Sequence, residues 1–142
     1  MQYSWDSIME FRIEPTSRLA IYRQLSEQIR EAIATGRLAA DEKLPSVREL
    51  SRTLVVNPNT IARVYTELER EGVLCTRPGL GVFVARPRQD LTKRARQDRL
   101  IRSVDGTLTE AVHLGFAADE VTALIAERMT RFQWERGEKK AN

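Results

Sequence analysis

The stretch Leu44 to Tyr65, LPSVRELSRTLVVNPNTIARVY, constrains the fold most, because it holds two independent helix-start signals eleven residues apart. Ser46 followed by Glu49 is a capping box. The serine hydroxyl accepts from an early backbone N–H of the helix, and the glutamate reaches back to the serine N–H. Asn57 followed by Pro58 is the second signal: asparagine caps, and proline takes the first helical position, whose N–H has no intrahelical partner. Only Val55-Val56-Asn57 remains to connect the two, so the pattern predicts two short helices joined by a tight turn.

Residues placed at intervals of about 100° sort the second helix into faces. Ile61, Val64, Tyr65 and Leu68 share one side, at the spacing of a buried stripe. Asn59, Arg63, Thr66 and Arg70 share the other, with Thr60 on the flank near the N-terminus. A helix that buries one face and presents Asn, Thr and Arg from the other has the chemistry to enter a DNA major groove. Its open N-terminal N–H groups and positive dipole suit a phosphate. Helical hairpins with polar outer faces are also common in proteins that never meet nucleic acid, so the flanking elements carry much of the weight.

Upstream, Phe11-Arg12-Ile13 alternates apolar and polar, which predicts a short strand before Pro15. A helix is expected from about Leu19 to Gly36, burying Tyr22, Leu25, Ile29 and Ile33, and Ala39 to Lys43 reads as a polar link. Downstream, after a helix end at Gly72, Val73 to Thr76 and Val82 to Val84 read as paired strands. Arg77-Pro78-Gly79-Leu80-Gly81 forms the turn between them, where glycine can take positive φ. Three helices and a β-hairpin in this order make a winged helix-turn-helix, whose hairpin tip can approach DNA backbone or minor groove.

From Arg88 the pattern is helical again. Leu91, Ala95, Ile101, Val104, Leu108 and Val112 recur at a spacing of about 3.5 residues, with Gly106 as a weak point and Gly115 as a break. A last helix from about Ala118 carries Val121, Leu124, Ile125 and Phe132 on one side. Packing against a second copy is the simplest cover for this hairpin's apolar stripe; folding back on the winged helix is the rival. Residues 1–10 show no clear pattern, and Trp5 there packs locally or on a partner. The expected fold is mostly α with a small β wing (α+β). Residues 10–86 form a winged helix-turn-helix DNA-binding domain, 87–136 a helical dimerisation region, and 137–142 a disordered tail.

Composition excludes other classes. A chain of 142 residues has room for one domain, or a small domain with an appendage. No apolar run approaches the roughly 20 residues of a membrane span, and the N-terminus lacks a basic-then-apolar leader, so a cytoplasmic protein is expected. One cysteine, Cys75, and one histidine, His113, cannot make an internal disulfide or a four-ligand zinc site. No carboxylate pair or nucleophile with its base is evident, so the chain reads as a non-enzyme without cofactor or metal. Net charge is only +3, yet residues 1–76, 77–102 and 103–142 carry −1, +6 and −2. The excess positive charge follows the helix pair, where it could track a polyanion.

With these elements in this order, the chain resembles the GntR family of bacterial transcription regulators, over about Ile21 to Val84. The resemblance is carried by IYRQLSEQIREAIATGRL, LPSVREL, VNPNTIARVYTELEREGVL and GLGVFV, in that order and spacing. It implies a winged helix acting as a homodimer on a palindromic operator in double-stranded DNA. Carried over by position, Ser46, Arg48, Asn57, Asn59, Thr60, Arg63 and Gly81 form the implied DNA-contacting set. Three features depart from the common pattern: Ala62 with Arg63 next, where relatives often place arginine first; Ala40-Asp41 in place of Pro-Gly; and Pro78 with Val82 in the wing. About 56 residues follow Arg86, far fewer than a metabolite-binding effector domain of the family holds. That length resembles the YtrA-like branch, whose members are commonly local repressors of transporter operons. Which effector or signal such a chain answers to is open. The alternatives are a winged-helix protein-interaction module and a truncated regulator lacking an effector or catalytic domain.

Overall fold

The computed structural model describes residues 10–87 and 91–134, and the chain divides after Pro87 into two compact units. The expectations for Trp5 and for the 137–142 tail lie outside the described residues. In the first unit, helices α1 (Ile21–Ala34), α2 (Val47–Leu54) and α3 (Pro58–Arg70) precede strands β1 (Leu74–Arg77) and β2 (Gly81–Val84). The second contains α4 (Lys93–His113) and α5 (Ala118–Met129). The chain is mostly helical with a small β wing.

One-sided burial organises the first unit. Ile61, Val64, Tyr65 and Leu68 of α3 are buried, as the 3.6-residue period requires, against Leu25 and Ile29 of α1 and Leu50 of α2. Burying each such side chain is worth roughly 1.5–3 kcal/mol over leaving it exposed. Tyr22 and Ile33 of the expected α1 stripe sit only at its margin, half-buried. The Tyr65 hydroxyl donates to the Pro45 carbonyl at 2.8 Å, tying α3 to the segment that starts α2. Burial, aided by the Glu49 carboxylate, pushes this phenol above its ordinary range.

Both start signals form. The Ser46 hydroxyl accepts from the Glu49 N–H at 3.1 Å while the Ser46 N–H donates to the Glu49 carboxylate at 2.9 Å. Asn57 Oδ1 accepts from the Asn59 N–H at 2.9 Å, with Pro58 opening the helix. Between the helices, the buried Ser51 hydroxyl donates to the Val56 carbonyl at 2.6 Å. Val55 turns the chain in the left-handed region, at φ 54° and ψ 51°, with 89% of its surface exposed.

The expected strand at Phe11–Ile13 is absent. Two glutamine side chains of α1 supply what a neighbouring strand would. Gln28 accepts from the Arg12 N–H at 2.8 Å and donates to the Arg12 carbonyl at 2.7 Å. Gln24, one turn earlier and buried, bonds both backbone groups of Glu14 and the Leu19 carbonyl. The backbone groups are thus satisfied without a ladder, and Phe11 enters the core.

The wing is antiparallel, pairing Leu74 with Val84 and Arg77 with Gly81. The polar link before α2 is part of it. Lys43 bridges Phe83, the Leu44 N–H donates to Val82, and the Val84 N–H donates to Glu42, so residues 42–44 line the second edge of β2. Asp41, at φ 67°, fixes the base of the hairpin: one carboxylate oxygen accepts from Arg77 at 2.8 Å, the other from Arg86 at 3.1 Å. The Arg86 hydrogen bond first, then its charge and that of Arg77, hold this carboxyl below the ordinary aspartate value.

In the second unit α4 runs unbroken through Gly106, from a cap in which the Thr92 hydroxyl accepts from the Ala95 N–H, and the chain turns at Gly115. His113 Nδ1 donates to the Thr109 carbonyl of its own helix at 3.0 Å. Neither α4 nor α5 has a buried residue.

A β-branched residue in the left-handed region costs roughly 1–2 kcal/mol, and Val55 has little packing to lose. Val55→Gly is expected to stabilise the first unit by about 1 kcal/mol, seen as a higher denaturant midpoint at unchanged slope. For Asp41, the folded carboxyl titrates below the unfolded one. Its contribution to stability is complete above the ordinary value of 3.8 and disappears as pH falls through the lower folded value. Asp41→Asn, which tolerates the same backbone conformation, should flatten that acid limb, and a carbon-detected NMR titration of the parent should give an Asp41 midpoint below 3.8.

Candidate nucleic-acid interface

Six of the seven residues singled out in sequence lie on the two capped helix starts. Ser46 and Arg48 are exposed at the beginning of α2, and Asn57 and Asn59 at the beginning of α3, with Thr60 half-buried and Arg63 exposed one turn on. Two of them are occupied by the fold. Ser46 uses its acceptor on the Glu49 N–H, leaving its O–H as a donor, and Asn57 uses Oδ1 on the Asn59 N–H, leaving its NH₂. Arg48 has the exposed guanidinium of a helix start, able to fork onto a phosphate or a guanine edge.

The outer side of α3 consists of Asn59, Thr66 and Arg70, all exposed. The first turn of α3 carries no acidic residue, so nothing offsets the positive end of its dipole. The two flanks differ. Towards the wing, Glu69 accepts from the Thr76 hydroxyl at 3.1 Å, which pins β1 to the helix. Towards α1, the Arg63 guanidinium lies over the Tyr22 ring, 3.9 Å from its centre, while its Nε faces Glu67 at 3.5 Å. Arg63 therefore sits at the α1 edge of the outer face and not at its centre.

Gly81 lies in the wing, half-buried, at φ +120°. The positive φ favours glycine, and a Cβ built there would come within 3.0 Å of Lys43 Cε, so the lysine side chain crossing it would have to shift for any other residue. Arg77, the cross-strand partner of Gly81, lies over Phe83 with its guanidinium 4.2 Å from the ring centre.

Sequence reasoning missed three residues beside these: Tyr22, Glu67 and Lys43. Tyr22 carried the signal of a stripe residue and is instead the face on which Arg63 rests. Glu67 is spaced i+4 from Arg63, and that pairing could have been anticipated. Lys43 gave no signal, since its place against Gly81 depends on the link pairing with β2. Among the described residues no group of histidine, cysteine and acidic side chains could hold a metal, and no helix is long and apolar enough to cross a membrane.

Residues 21–84 match the family described as bacterial regulatory proteins, gntR family. The chain is 30% identical over 116 residues to the HTH-type transcriptional repressor YtrA of Bacillus subtilis (strain 168), spanning 82% of this chain and 89% of that protein. It is 38% identical over 102 residues to YhcF, an uncharacterized HTH-type transcriptional regulator of the same bacterium, spanning 71% and 83%. Among solved structures, a Listeria monocytogenes EGD-e protein described as a transcriptional antiterminator aligns over 90% of this chain and 96% of its own, with a TM-score of 0.73 and 32% identity. YtrA of Sulfolobus acidocaldarius, a GntR-family transcription factor, aligns over 67% and 97%, with a TM-score of 0.52 and 30% identity. By these matches, which run along most of both chains, the protein belongs to the GntR family of DNA-binding transcription regulators, in its YtrA-like branch.

Proposed function

We propose that the protein is a homodimeric repressor that binds a palindromic operator in double-stranded DNA in the cytoplasm, with the operator serving a transporter operon. The observation that carries the DNA reading is the one-sidedness of α3: its inner residues are buried, while Asn59, Arg63, Thr66 and Arg70 stand exposed along the other side of a helix whose first turn holds no acidic residue. Ser46, Arg48, Asn57, Asn59, Thr60, Arg63 and Gly81 form the proposed contact set. Two features of the relatives support regulation by repression: the name of the Bacillus protein, and the match along most of its length.

Dimerisation rests on the second unit. Leu100, Ile101, Val104, Leu108, Leu124, Ile125 and Met129 are each between 41% and 64% exposed on two helices without a buried residue. Apolar exposure on this scale marks an interaction surface. A second copy supplies the same stripe in reverse, as a two-fold interface requires, and pairing would place two recognition helices on half-sites related by that axis. Lys93, Arg94, Arg96, Arg99 and Arg102, all exposed in the first half of α4, add positive charge suited to phosphates.

Selecting bound sequences from a random DNA pool should return an inverted repeat whose half-site spacing reports the dimer geometry; recovery of no preferred sequence would remove the operator reading. Arg48→Ala is expected to weaken operator binding by about 1–3 kcal/mol if the guanidinium forks onto a base, with the oligomeric state unchanged. Unaltered affinity would take Arg48 out of the interface. Leu108→Asp should halve the sedimenting mass and weaken operator binding steeply, since one protomer reaches a single half-site. A monomeric parent chain at working concentration would refute the dimer.

A further inference from the structure

We propose that Arg63 holds a DNA phosphate and does not read a base, and that Tyr22 of α1 is the residue that positions it. This rests on the operator-binding reading above and sharpens it at one residue. With residues at about 100° per step, Arg63 lies roughly 40° from Asn59 on the flank facing α1, and Glu67 lies further round the same flank. The structure draws the guanidinium that way. It stacks on the Tyr22 ring at 3.9 Å, and its Nε is turned to Glu67 at 3.5 Å.

A base-reading arginine extends from the helix into the groove so that two N–H groups meet O6 and N7 of one guanine in its plane. Arg63 would have to leave both Tyr22 and Glu67 to do this. In place, the guanidinium is held over the ring with its Nε towards Glu67, and Nη1 and Nη2 remain for the two oxygens of a phosphate at the rim of the groove. Glu67 adds a second reason. A carboxylate on the flank of a DNA-facing helix would repel the backbone, and a partner four residues earlier offsets that charge. Tyr22 is half-buried in the first turn of α1, so the ring is fixed by packing before any ligand arrives.

The test uses the full chain and the operator selected from the random pool. Arg63→Ala should lower affinity about ten- to a hundredfold, as expected for removing a charge-assisted hydrogen bond. It should do so by the same factor on the operator and on single-base variants, return the same consensus on reselection, and reduce the slope of log K against log salt by about 0.9 per protomer. Tyr22→Phe, which keeps the ring, should bind like the parent. Tyr22→Leu should show part of the Arg63→Ala effect and add nothing to it in the double variant. In the free parent, the Arg63 Nε–H resonance should be shifted by the Tyr22 ring current, a readout that needs no variant. An unshifted resonance, or full affinity in a folded Tyr22→Leu protein, overturns the positioning role. A consensus relaxed at one base pair by Arg63→Ala overturns the phosphate assignment while leaving the operator reading intact. A parent that selects no sequence defeats the operator reading itself.

Discussion

The burial of one side of α3 is the constraint on which the first unit depends. Ile61, Val64 and Leu68 have no exposed surface, and the helix cannot rotate without bringing Asn59, Arg63 or Thr66 into an apolar core. Inserting an unpaired polar group there would cost several kcal/mol. The outer face is therefore held in place by the inner one. The caps at Ser46 and Asn57 set where each helix begins, and the bond from Tyr65 to the Pro45 carbonyl ties the body of α3 to the start of α2. A buried stripe and a small set of local hydrogen bonds thus fix the orientation of an exposed surface, which a rigid reader of DNA needs.

How much of this could be read in the sequence follows from how local each cause is. Both helix starts, the α3 stripe and the hairpin strands depend on residues within a few positions of one another, so their patterns are visible in the chain itself. Phe11–Ile13 misled because alternation marks a segment with one buried face, and the period does not say what satisfies its backbone. Gln24 and Gln28 do so, and their spacing of four residues is recognisable only once the segment is known to cross α1. The same holds for Lys43 and Tyr22. Their contacts with Gly81 and Arg63 join residues 38 and 41 positions apart, and no short-range rule connects them.

Val55 shows a conflict between local preference and tertiary demand. A valine favours extended backbone, yet here it takes the left-handed conformation with almost its whole side chain in solvent. The reason lies in its neighbours. Val56 must point inward, where its carbonyl accepts from Ser51, and Asn57 must reach the start of α3 one residue later. With so short a connection, one residue has to reverse the chain, and Val55 is that residue. The strain is offset by core contacts on either side, so it persists as a cost of the tight turn.

The second unit is organised differently. A helix of 21 residues with no buried side chain gains little from tertiary packing, and α4 carries further penalties within itself. Gly106 costs about 1 kcal/mol relative to alanine in a helix interior. Lys93, Arg94 and Arg96 stand at the N-terminal end, where the macrodipole disfavours positive charge, and no acidic residue in the first turn offsets them. The Thr92 cap works in the other direction, by about 1 kcal/mol. Such a helix is marginal alone. Under the proposed assembly both deficits have a source of compensation: a second copy covers the apolar stripe, and DNA phosphates answer the basic end. The order of α4 would then depend on protein concentration and on DNA, as it must when stability comes from binding.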